Sequence, residues 1–68
     1  MTENMNQDLL NMSLRKFLKQ VGVTSQRELE KLIDDKGLRG SGTLAVRAVL
    51  TAEGTDLEHV VEGEIDLG

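Results

Sequence analysis

The chain contains no cysteine, one aromatic residue and one histidine among 68 residues, and each shortage closes a route to stability or chemistry. Without cysteine there is neither a disulfide framework nor a thiolate for structural zinc, and a lone histidine cannot build a metal centre by itself. Because Phe17 is the single aromatic, the core has to come from Leu, Val, Ile, Met and Ala, with Phe17 expected at its centre. No stretch approaches the roughly 18 apolar residues of a membrane span, and MTENMNQDLL lacks the basic-then-apolar order of an export signal. A soluble cytoplasmic protein with no membrane role and no cofactor is expected.

Basic charge is scarce in one half only. Residues 1–40 carry seven Lys/Arg against six Asp/Glu, whereas residues 41–68 carry one against six, giving the net charge of −4. A concentrated basic surface is what phosphate binding needs, so the acidic C-terminal part weighs against nucleic acid as a partner. The length allows one domain, 1–68, with residues 1–5 expected as a disordered tail. A single core of that size supplies only about 3–5 kcal/mol, so with disulfides and metal excluded, association with another chain is the remaining support.

What is present is a change of period. From Met5 to Val21 the apolar residues Leu10, Leu14, Phe17, Leu18 and Val21 form one stripe of an α-helix. Gly22 can take a left-handed C′ position and bring Val23 back against Leu18. Ser25 with Glu28 makes a capping box, Thr24 being the competing cap, so a second helix is expected to start there. That helix presents Leu29, Leu32 and Ile33 and closes at Gly37, with Leu38 folding back onto Ile33. Asp34 and Asp35 oppose its macrodipole, and GLRGSGT, residues 37–43, reads as a flexible connection.

From Leu44 the period becomes two. Leu44, Val46, Ala48 and Leu50 alternate with Ala45, Arg47, Val49 and Thr51, and LEHVVEGEIDL follows Gly54-Thr55. A hairpin turning on Gly54-Thr55 pairs Glu53 with Asp56, Leu50 with His59, Ala48 with Val61 and Leu44 with Ile65, and sets Arg47 opposite Glu62 on the other face. A loop one residue longer would flip every side chain and lose these agreements. The expected fold is α+β, two helices followed by an antiparallel hairpin (ααββ), completed by homodimerisation.

Two features point to a partner surface. Met5, Leu9 and Met12 recur on the side of the first helix opposite the Phe17 stripe, and Val49 faces Val60 on the charged side of the sheet. A two-stranded hairpin is marginal alone, and symmetric pairing is the commonest way homo-oligomers cover such surfaces. Met5, Leu9, Met12, Val49 and Val60 are therefore the candidate dimer or partner surface.

GVTSQRELEKLI, residues 22–33, imitates a helix-turn-helix, with Gln26, Arg27 and Lys31 where base-reading side chains would sit. Glu28, Glu30, Asp34 and Asp35 populate the same helix and repel phosphate, so an αα-hairpin is the preferred reading and nucleic-acid contact the alternative. Arg15, Lys16 and Lys19 read as a solvated basic face. Glu58, Glu62, Glu64 and Asp66 share one strand face but lack the wrapping loop a divalent cation needs. His59 has no nucleophile and orienting acid at a telling spacing, so no catalytic residue is assigned. Gly40-Ser41-Gly42-Thr43-Leu44-Ala45 fits G-x-G-x-x-A but follows a helix and precedes a strand, the reverse of the dinucleotide-binding order.

The segment NMSLRKFLKQVGVTSQRELEKLI together with LEHVVEGEIDL resembles a family of short bacterial proteins known only as a domain of unknown function. The resemblance covers most of residues 11–67 and is most specific in RKFLKQVGVTSQRE and E-H-x-V-x-G-E-I. It implies a bacterial cytoplasmic protein and carries no activity, cofactor or site residue. The expectation is a non-enzymatic, homodimeric interaction or structural protein, with a small nucleic-acid-associated regulator as the alternative.

Overall fold

A computed structural model describes residues 2–40 and 42–68, with side chains described from residue 6 onward. Three elements follow in order: α1, Thr2–Lys36; β1, Thr43–Thr51; and β2, Glu58–Asp66. They divide into two compact units, residues 1–36 and residues 37–68.

The first unit is one helix, which corrects the expectation of two. Residues 21–25 stay helical throughout. Gly22 is not among the glycines with positive φ, so it does not form the left-handed stop. Thr24 does not cap a new helix; its hydroxyl donates to the Gln20 carbonyl at 2.7 Å, the back-bond of a threonine inside a helix. Ser13 does the same to Leu10 at 3.0 Å. The physical reason lies in what a break costs. Ending one helix and starting another leaves up to four carbonyls and four N–H groups without intrahelical partners, while carrying Gly22 through a helix costs only about 1 kcal/mol relative to alanine. The chain has no proline to force the issue. The helix ends where expected: Gly37 has φ 63° and Lys36 places positive charge in the last turn.

Within the second unit the two strands form an antiparallel sheet in the expected register. Leu50 pairs with His59, Ala48 with Val61, Leu44 with Ile65 and Arg47 with Glu62. Val49 stands opposite Val60 on the same face as Arg47 and Glu62. The turn itself differs from the expected one. The Thr55 N–H donates to the Ala52 carbonyl at 3.2 Å, which makes Glu53 and Gly54 the central residues, and Gly54 at φ 77° takes the i+2 position where a positive φ is required. The ladder stops at Thr51 and Glu58, so Glu53 and Asp56 fall in the loop. Thr55 ties that loop together: its hydroxyl donates to the Ala52 carbonyl at 2.7 Å and accepts the Leu57 N–H at 3.2 Å.

The open end of the hairpin is also fastened. Leu67 donates its N–H to the Gly42 carbonyl at 2.7 Å, and its carbonyl accepts the Gly40 N–H. Gly40 and Gly42 have φ 78° and 92°, backbone that glycine adopts without steric cost. The stretch read as a flexible connection is thus clasped by the C-terminal residues, and its two glycines serve that clasp. The Asp66 carboxylate accepts the Gly68 N–H at 3.0 Å and continues the same closure.

Candidate interaction surface

The expected core centre is not buried. Ile33 is the one buried apolar residue among the described residues, whereas Leu10, Leu14, Phe17, Leu18 and Val21 are 37–53% exposed. The stripe assigned to an internal core is therefore open surface on α1.

Continuity of the helix changes what that stripe is. At 100° per residue, Leu29 and Leu32 fall on the same side as Leu10, Leu14, Phe17, Leu18 and Val21 once no turn intervenes. Two short faces become one, running from Leu10 to Leu32 over twenty-two residues, about 33 Å of helix. Ser25 is the small member of the row, and Glu28, eighteen residues or five full turns beyond Leu10, lies within it. Leu29 is half-buried and Leu32 exposed. Helices draw most of their stability from covering such a face.

The residues singled out from sequence are distributed as follows. Leu9 and Met12 are exposed on the opposite side of α1, and the Met5 side chain lies outside the described residues. Val49 and Val60 are exposed cross-strand neighbours on the sheet. Gln26, Arg27 and Lys31 are exposed in the C-terminal third of α1. No turn precedes them, so the helix-turn-helix-like pair that gave them a role does not exist. The face missed from sequence, Leu10 to Leu32, carried a readable signal: its two halves are in phase across residues 22–25.

Chemistry has little to stand on. His59 is exposed opposite Leu50, and Glu58, Glu62, Glu64 and Asp66 are exposed. Among the described residues no three His, Cys, Asp or Glu come together as metal ligands, and no helix is long and apolar enough to cross a membrane.

A family model covers residues 5–68, nearly the whole chain, and describes a family of unknown function, DUF6494. The chain belongs to this family. The DUF6494 match contains α1 from residue 5 and both strands of this chain. No curated protein and no solved structure is matched by the chain.

Proposed function

We propose that this DUF6494 protein is a non-enzymatic, cytoplasmic interaction protein that works as a homodimer, joined through the apolar row Leu10 to Leu32 of α1. The observation that carries this reading is the exposure of that row on an unbroken helix. Each large apolar side chain fully removed from water contributes about 1.5–3 kcal/mol, and four of the row's members, Leu10, Leu14, Phe17 and Leu18, are about half exposed in one chain. A second copy supplies the same row in return, which is how a twofold interface works. The exposed Val49–Val60 pair on the sheet is a smaller surface of the same kind.

Sedimentation equilibrium over a range of protein concentrations tests the reading, with Phe17→Glu and Met12→Lys as variants. A wild-type dimer that Phe17→Glu dissociates and Met12→Lys leaves intact is the expected result. Dissociation by Met12→Lys alone would move the interface to the Leu9/Met12 side. A monomer at every concentration overturns the proposal.

A further inference from the structure

We infer that β1 pairs edge to edge with the β1 of a second copy, antiparallel and centred on Arg47, making one four-stranded sheet from two hairpins. This edge is separate from the apolar row of α1, and the inference does not rest on that row.

The sheet has two strands, so each strand turns every second N–H and carbonyl away from its neighbour. Outside the ladder, no backbone hydrogen bond among the described residues involves residues 43–51. The bonds of Gly40 and Gly42 to Leu67 join the start of β1 to the end of β2 and leave the outer side of β1 open. The two edges differ in charge. β2 carries Glu58, Glu62, Glu64 and Asp66, the kind of charged edge that resists pairing, whereas Arg47 is the one charge on β1. Joining two copies through β2 about Glu62 would set Glu62 against Glu62 and Glu58 against Asp66, both like-charge pairs.

The sequence of β1, TLAVRAVLT, is close to a palindrome about Arg47. An antiparallel copy centred there keeps both faces of the sheet continuous and sets Thr43 opposite Thr51, Leu44 opposite Leu50, Ala45 opposite Val49 and Val46 opposite Ala48. Each valine thus meets an alanine, large against small, which fills the space between the strands evenly. No other centre aligns all nine residues of the strand.

On the charged face the four strands read Glu62, Arg47, Arg47, Glu62 across the central rung. The two guanidinium groups are the one like-charge contact, and each has its own chain's Glu62 opposite it on the other side. Every carboxylate of β2 stays on an outer strand, three strand spacings or about 14 Å from those of the second copy, beyond the roughly 8 Å screening length at physiological salt. With the acidic edges outermost, the sheet closes at two copies.

Because the chain has no cysteine, single cysteines at the exposed positions Thr43, Val49 and Thr51 carry spin labels without background. Dipolar coupling in concentrated solution reads the pairing. The expected result is equal separations for Thr43→Cys and Thr51→Cys, from an axial offset of about 26 Å, and a shorter one for Val49→Cys, from about 13 Å. The same labels on a Phe17→Glu chain, shown by circular dichroism to be folded, should give the same pattern. Unequal separations at residues 43 and 51 overturn the centre on Arg47. Coupling that disappears with Phe17→Glu means that the α1 row alone joins the copies, which overturns the edge pairing and sustains the α1 dimer. Absence of coupling in the parent chain overturns the edge pairing, and sedimentation of the unlabelled protein then decides the α1 dimer separately.

Discussion

The Thr24 hydroxyl reaches back 2.7 Å to the carbonyl of Gln20, one helical turn earlier. That bond commits the side chain to the interior of a continuous helix, because a capping threonine turns its oxygen forward to accept an N–H instead.

Gly22, two residues before, therefore sits in an ordinary helical position with open space where a Cβ would go. Gly22→Ala is expected to raise stability by about 0.5–1 kcal/mol, in urea unfolding followed by circular dichroism. A glycine stopping a helix in the left-handed region would give the opposite sign, so the direction alone separates the two structures.

Gly54 and Gly63 make a contrasting pair. Gly54 holds φ 77° at the hairpin turn, and Gly54→Ala is expected to destabilise the hairpin by about 1 kcal/mol. Gly63 lies in β2 opposite Val46, without positive φ and with nothing near its missing side chain. Gly63→Thr is expected to stabilise the sheet by about 0.5 kcal/mol or more. Amide hydrogen exchange across β1 and β2 would read both changes.

Thr55 fastens the loop through one hydroxyl that donates and accepts at once. Thr55→Val keeps the shape and removes both bonds, at an expected cost of about 1 kcal/mol, discounted for their exposure to water. Thr55→Ser should retain most of the stability. Faster exchange of the Leu57 amide in the valine variant alone is the specific signature.

Glu28 interrupts the apolar row on α1. Replacing it by leucine is expected to tighten self-association by about 1 kcal/mol, measurable as a shift in the sedimentation midpoint. A looser dimer would mean that the carboxylate has a partner across the seam.

Much of the hairpin was legible in the sequence, because period-two alternation fixes which residues share a face and a one-residue slip would have exposed the apolar set. Its turn was not, since a tight turn on Gly54-Thr55 and the longer loop from Ala52 to Leu57 preserve the same strand register. The helix break at Gly22 was over-read: glycine, a hydroxyl residue and a glutamate three positions on are the local marks of a stop and start, yet the backbone bonds saved by continuing decide the outcome. The Phe17 stripe was legible as apolar, and its members are 37–53% exposed instead of buried. Periodicity reports that a face is apolar, and a fold interior and a second chain leave the same mark.

The bonds joining Leu67 to Gly40 and Gly42 have a consequence for how this chain ages and is handled. They make the hairpin's open end depend on Leu67, so losing the backbone bonds of that one residue would unfasten the segment ahead of β1 as well. The backbone at Gly40 and Gly42 would then become an early site of endoproteolytic cleavage, and mass spectrometry of digested protein should find that cut sooner in a variant lacking Leu67 than with Leu67 in place.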